Sequence, residues 1–294
     1  MARIVLLGEA MLELARRGED WRLGYGGDTL NSAIHLARVG HDVAYLTAIG
    51  SDPLSRELKA SWAAEGVDTA LVLDHPTRAT GLYAISTDAA GERSFTYWRD
   101  SSAARDMFSH ESVGAALAAA EQAELFAFSL ISLAILPEDG RGRLLALAAC
   151  VRSNGGRVAF DGNYRPRLWS SSKEAALWRD RAIAVADIGL PTLEDEQMLG
   201  TSDAELVAAH WQGLGCGETV VKLGPDGCRL PDGTIVAPEA ILAPVDTSGA
   251  GDAFNGGYLA ARMEGAAPPA AALAGHRIAG RTIMYPGAIP PRGV

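Results

Sequence analysis

Apolar positions along this chain switch repeatedly between the strand period and the helix period. The opening IVLLGE is a short apolar run that stops at Gly8, and a second extended stretch from Trp21 to Tyr25 ends on Gly26 and Gly27. Leu30, Ala33, Ile34 and Ala37 then recur at helical spacing. They predict a helix from Thr29 to Val39, with Asp28 or Thr29 as cap and Gly40 as terminator, and put Asn31 near its first turn. DVAYLTAIG reads as the next strand and PLSRELKASWAAEG as a helix ending at Gly66. LAAAEQAELFAFSL, LLALAACVRSNGGRVAFDGN and AAHWQGLGCGETVVKLGPDGC keep the alternation, with central strands expected at 156–161 and 219–223. Final helices are expected from about Asp252 through Ala261 and from Pro269 to Thr282. The rhythm predicts an α/β fold in which helices cover a parallel sheet.

Residues 79–99 break that rhythm. ATGLYAISTDAAGERSFTYWR reads as two strands joined around Gly91, with Ser94, Thr96 and Trp98 alternating against Phe95, Tyr97 and Arg99. A small antiparallel flap with two unlike faces is expected. No internal repeat or low-complexity tail interrupts the chain.

Composition narrows the class. Of the 294 residues 48% are hydrophobic, but charged residues interrupt every apolar run before bilayer length, so no membrane partner is expected. Met1 to Met11 contains Arg3 and Glu9 and leads directly into patterned sequence, which reads as a first strand and makes a cytoplasmic location the expectation. A formal charge of −10 argues against a nucleic-acid surface. Cys150, Cys216 and Cys228 are widely spaced and odd in number, which favours free thiols over a disulfide framework or a metal site.

The chemistry concentrates in four motifs. In DTSGAGDAFNGG, residues 246–257, Gly249, Ala250 and Gly251 can open a helix whose unpaired N–H groups form an anion hole, with Asp252 at its mouth as candidate base. A Gly-rich turn with Asp252 as an ordinary first-turn acid is the competing reading. FDGNYRPR places Asp161, Asn163 and Arg165 beyond a strand, where open α/β sheets bind ligands and where an arginine fork grips a carboxylate; a solvated loop is the alternative. Tyr83, Tyr97 and Arg99 on the flap can cover a polar ligand or simply pack, and GGDTLN from Gly26 to Asn31 can approach a hydroxyl-rich ligand or form a tight helix entrance. VVKLGPDGC offers Lys222 as a weak phosphate candidate, since a lysine leaving a strand is usually solvated. Neither a Walker A loop nor HExxH occurs, and His35 and His276 read as packing residues.

In their order along the chain, GGDTLN, ERSFTYWR, FDGNYRPRLW, VVKLGPDG and DTSGAGDAFNGG resemble the ribokinase-like carbohydrate kinases, and SFTYWR with FDGNYRPRLW narrows the resemblance to the sugar-acid kinases acting on 2-keto-3-deoxygluconate. The resemblance spans essentially the whole chain. It implies a single ribokinase-like domain over 1–294, three layers α/β/α, with a small β-sheet lid formed by segments about 12–25 and 79–100. It also implies ATP and Mg²⁺ as cofactors, a small sugar-acid substrate, and a homo-oligomer formed through lid edges. Asp252 is then the catalytic base, and Gly249, Ala250 and Gly251 stabilise the transferred charge. Gly27, Asn31, Tyr83, Tyr97, Arg99 and Arg165 carry over to substrate recognition, and Asn163, Lys222, Gly224, Gly227, Gly249 and Gly251 to the nucleotide. Where many relatives have Asn-x-x-Glu to organise metal-bound water, this chain has Thr192, Leu193, Glu194 and Asp195, which leaves Asp195 as a candidate for Mg²⁺ through water and puts the metal shell in doubt. Asp246 is a candidate for a monovalent cation.

Overall fold

The computed structural model describes residues 3–18, 20–87 and 93–292. The turn expected around Gly91 lies outside the described residues. The first third runs β1 (Ile4–Leu7), β2 (Met11–Arg17), β3 (Asp20–Gly26), α1 (Asp28–Arg38), β4 (Val43–Gly50), α2 (Pro53–Ala64), β5 (Val67–Asp68), β6 (Val72–His75), β7 (Gly81–Thr87) and β8 (Arg93–Trp98). The middle continues with α3 (Val113–Ala120), β9 (Leu125–Ser129), α4 (Leu130–Ile135), α5 (Glu138–Ser153), β10 (Arg157–Asp161), α6 (Ser172–Ile183), β11 (Ile188–Gly189) and α7 (Leu193–Met198). The last part holds α8 (Ala204–Gly213), β12 (Glu218–Thr219), β13 (Val221–Lys222), β14 (Cys228–Arg229), β15 (Ile235–Val236), α9 (Ala250–Met263) and α10 (Pro268–Thr282).

A parallel sheet in the order β12-β11-β10-β9-β1-β4-β5, with β6 also beside β4, forms the middle layer. Its inner strands IVLL, VAYLTAIG and LFAFS are buried at every position, as a sheet covered on both faces requires. One face packs Phe126, Phe128, Phe160 and Trp211; the other packs Tyr45, Trp62, Phe254 and Tyr258. The layers are therefore α/β/α. Because the strands are parallel, their carboxyl ends and the loops that follow gather on one edge.

Two expectations are corrected. Segment 219–223 is not a central strand: β12 is the sheet edge, and beyond it β13 pairs antiparallel with β14 in a separate three-stranded sheet. Asp28 and Thr29 do not cap α1; Gly27 holds the cap position without a side-chain bond, and the Asp28 carboxylate accepts from Asn163 instead.

A second sheet, ordered β3-β2-β7-β8, leaves from the carboxyl end of β1. Its register puts Tyr83 opposite Tyr97 on one face and Leu82 opposite Trp98 on the other. Behind the central sheet α9 and α10 meet backbone to backbone, since a Cβ on Gly257 would lie 2.8 Å from the Ala274 carbonyl oxygen. Only glycine permits that approach, and it fixes the helix that carries Asp252.

Candidate active site

The turn into α9 is made by Gly249, whose φ of 70° is left-handed and whose added Cβ would stand 2.4 Å from that of Ala288. Among the described residues the N–H groups of Gly249 and Gly251 have no hydrogen-bond partner, whereas Ala250 N–H closes a 3.3 Å turn to Thr247 O. These open donors, with the Asp252 N–H, equally open among the described residues, and the loosely held Ala250 N–H, mark the helix start. Asp252 sits there, its Oδ2 accepting from Asn31 Nδ2 at 2.8 Å and its carbonyl accepting from Ser32 Oγ at 3.0 Å. The other amide atom, Asn31 Oδ1, is buried without a partner among the described residues, an acceptor matched to a ligand hydroxyl.

Burial, followed by the charges of Asp28 and Asp161, holds the Asp252 carboxyl well above the ordinary carboxylate range; the Asn31 bond and Lys222 pull the other way. Asp28 is raised for the same reasons, burial first. The counter-charge is Lys222. It is buried, not solvated, and its Nζ donates to Asp161 Oδ1 at 2.9 Å and Asn255 Oδ1 at 3.1 Å, while Asn255 Nδ2 donates to Asp161 Oδ2 at 2.8 Å. Asn163 is buried too and donates to Asp28 Oδ2 at 3.1 Å, so it orders an acid of the floor. Gly224 (φ 63°) and Gly227 (φ 98°) shape the turn between β13 and β14, where a Cβ on Gly227 would stand 2.1 Å from Val236 O.

On the same edge Asp195, at the start of α7, accepts from Tyr164 N–H at 3.3 Å and lies 3.5 Å from Arg165 Nη1. Burial pushes its carboxyl up to about 6 against the pull of Arg165. The Arg165 side chain is 54% exposed and makes one short bond, to the Tyr164 carbonyl, which leaves most of its fork for a ligand. Asp246 is buried, with Oδ1 accepting from Ser248 N–H at 2.9 Å and Oδ2 from Gly287 N–H at 2.6 Å, so in this structure it clamps two backbone segments together.

The second sheet supplies the opposite wall. Tyr83 donates its hydroxyl to Glu13, its ring centroid is 5.9 Å from that of Tyr97, and a Cβ on Gly26 would collide with its hydroxyl. Arg99 is buried and donates through Nε and Nη2 to Glu9, which also accepts from Ser102. Its charge is already matched, so Arg165 rather than Arg99 presents the available cation. Gly27 lets the α1 entrance press on this pair, because a Cβ there would stand 2.4 Å from Glu9 O.

The model of the pfkB carbohydrate kinases matches residues 1–292. The chain belongs to the pfkB family of carbohydrate kinases. It is 42% identical to the 2-dehydro-3-deoxygluconokinase of Dickeya dadantii, over 98% of this chain and 96% of that protein. It is 40% identical to the 2-dehydro-3-deoxygluconokinase of Escherichia coli K12, over 99% and 97%. The crystal structure of a PfkB protein from Polaromonas superposes with a TM-score of 0.85 at 29% identity, covering 97% of this chain and 96% of that one.

In this pfkB kinase two sets stand out among the residues singled out from sequence. Asp252, Gly249, Gly251, Asn31, Lys222 and Asp161 converge on one end of α9, and Arg165 with Asp195 borders them. Arg99 and Asp246 are engaged by protein partners, the first as an ion pair and the second as a backbone clamp. Sequence reasoning missed Glu9, Asp28 and Asn255. For Asn255 a signal existed, since it follows Asp252 by three residues and shares its helix face. Among the described residues no group of three or more His, Cys, Asp and Glu forms a metal cage.

Proposed function

We propose that this pfkB kinase transfers the γ-phosphoryl group of ATP to the terminal, 6-hydroxyl of 2-dehydro-3-deoxy-D-gluconate. The observation that carries the reading is the placement of Asp252 between the amide of Asn31 and the open N–H groups of Gly249 and Gly251. The similarity to 2-dehydro-3-deoxygluconokinases over nearly the full length supports the substrate. Asn31 Oδ1 accepts from a sugar hydroxyl, and Arg165 pairs with the carboxylate of the acid. Tyr83 and Tyr97 cover the sugar and keep water from the reacting oxygen. Asp252 then takes the hydroxyl proton as that oxygen attacks the γ-phosphorus and the bond to the bridging oxygen breaks, that oxygen leaving on ADP, and the Gly249 and Gly251 N–H groups meet the charge carried by the transferred group.

The donor set fits a hydrated Mg²⁺. Asp195 and Asp161 lie close enough for each charge to oppose the other, and Asp195, whose Asp161 neighbour is held by Lys222 and Asn255, offers the carboxylate oxygen a hard cation takes. Asp195 holds it through water in this reading, so the Asp that replaces the usual Glu suffices; Mg²⁺ would neutralise nucleotide phosphates. A monovalent cation at Asp246 belongs to the same reading, and comparing rates in Na⁺ and K⁺ tests it. Lys222, Gly224 and Gly227 border the nucleotide.

We read the second sheet as the lid of one ribokinase-like domain. Trp21, Leu23 and Trp98, about half exposed, share the face turned away from the tyrosines, and β3 and β8 are open edges. A second copy of the chain covers this face, and a dimer in sedimentation that Leu23→Glu dissolves is the expected result. No helix of the described residues is long and apolar enough to cross a membrane. We place the enzyme in the cytoplasm, where ATP is supplied and the three free thiols stay reduced.

The deciding experiment is ADP release from Mg·ATP with 2-keto-3-deoxygluconate, 2-keto-3-deoxygalactonate, gluconate, fructose and ribose. Selectivity for 2-keto-3-deoxygluconate supports the reading. Preference for a neutral sugar overturns the role of Arg165, and tight sugar-acid binding without ADP release makes the protein a sensor.

A further inference from the structure

Beside the 287–290 segment that packs on the Gly249 turn, and lined by none of the sugar or nucleotide residues above, lies a second cavity of about 420 Å³. Its walls come from the carboxyl ends of α1 and α10, the turn at Glu65, and the segment through Pro290 and Arg292. That volume lies in the range of small-molecule pockets.

Its charge is opposite to that of the chain as a whole. Arg38, Arg281 and Arg292 line it against a single carboxylate, Glu65, which accepts from Arg38 Nε at 2.7 Å and Arg292 Nε at 3.0 Å. Arg281 is exposed and has no ion pair among the described residues. The two helix carboxyl ends offset roughly one positive charge between them. A net positive cavity therefore remains on a protein of formal charge −10.

The segment that walls the cavity is also the one that supports the phosphoryl end of the active site. Pro290 O accepts from Arg38 Nη1 at 2.6 Å, and Ala288 O faces His35 Nε2 at 3.4 Å. Ala288 packs on Gly249, and Gly287 N–H donates to Asp246 at 2.6 Å. Any ligand that draws Arg38 and Arg292 together acts on residues 287–290, and through them on the turn that aims the Gly249 and Gly251 donors.

We propose that this cavity is an effector site for a small organic phosphate, and that its occupancy changes the affinity of the active site for ATP. Guanidinium forks match phosphate oxygens in pairs, and the cavity is too large to be filled by a bare phosphate ion, so the ligand carries an organic body as well. The site is separate from the sugar and nucleotide residues above, and the inference goes beyond the proposed reaction.

Calorimetry on the full-length protein saturated with Mg²⁺ and a non-hydrolysable ATP analogue, with 3-phosphoglycerate as probe, tests it. One site per chain is expected, weakened by about tenfold or more in Arg281→Glu and in R281A/R292A, and restored toward wild type in Arg281→Lys. Arg281 and Arg292 lie outside the catalytic machinery, so basal turnover with the sugar acid is unchanged in these variants. In initial rates the probe shifts the KM for ATP by about twofold or more in the wild type and not in R281E, while chloride at equal ionic strength shifts neither. Binding that the ATP analogue abolishes, or that R281E leaves intact, overturns the site; binding with an unaltered KM overturns the coupling.

Discussion

The floor of the site and the second sheet above it face the same space but are held by different means. On the floor, Asp252, Asn31, Asp161, Asn255, Lys222, Asp28 and Asn163 are tied by side-chain bonds between elements of the buried central layers. The second sheet is tied at its root by Arg99 to Glu9 and across its two middle strands by Tyr83 to Glu13, while Phe95 and Tyr97 on its edge strand stay substantially exposed. The groups that must be aimed to within fractions of an ångström sit on the rigid part, and the groups that select and cover a ligand sit on the part free to adjust.

If that division is right, substitutions on the floor act on turnover and those at the ligand wall act on KM. Asp252→Asn should lower kcat by about a thousandfold with sugar-acid binding retained by calorimetry; equal losses in kcat and binding would erase the distinction. Arg165→Ala should raise the KM for the sugar acid by roughly a hundredfold, the worth of a charged hydrogen bond, with the KM for ATP nearly unchanged.

The third substitution probes electrostatics. Asp252 must be ionised to act as base, so kcat/KM falls on the acid side, and burial with Asp28 and Asp161 places that fall at higher pH than an ordinary carboxylate would give. Lys222 lowers the Asp252 pKa, so Lys222→Met should move the limb about one unit further up in a pH profile; a limb that moves down would remove Lys222 as the counter-charge. The smallest effect belongs to Tyr97→Phe, which should raise the sugar-acid KM about threefold by loss of one exposed hydroxyl, read from the same steady-state assay.

Much of the floor's scaffold was legible because helices and buried strands write their periods into the sequence. Leu30, Ala33 and Ile34 announced the buried face of α1, and Gly26 and Gly27 before it announced a tight entrance. The partners were not legible. Glu9 meets Arg99 across 90 residues and Lys222 meets Asp161 across 61, and a single acid or lysine at a strand end carries no periodic mark of its counterpart. Lys222 illustrates the failure: sequence favours a solvated lysine, while the fold brings an acid from the end of β10, a strand of the other sheet, within 2.9 Å of it. The end of the central sheet was missed for a related reason, since Val221 and Lys222 have the composition of a core strand but spend their outer hydrogen bonds on β14.

The bond from Asn31 to Asp252 spans 221 residues. During synthesis at about 5–20 residues per second, roughly ten to forty seconds separate the emergence of the first helix from that of the helix it must grip. Throughout that interval Leu30, Ile34 and Leu36 wait for part of their cover, because α9 packs against α1 from the far end of the chain. The nascent protein therefore carries an apolar helix face that a chaperone can hold, and the enzyme gains its base only when almost all of its length has left the ribosome.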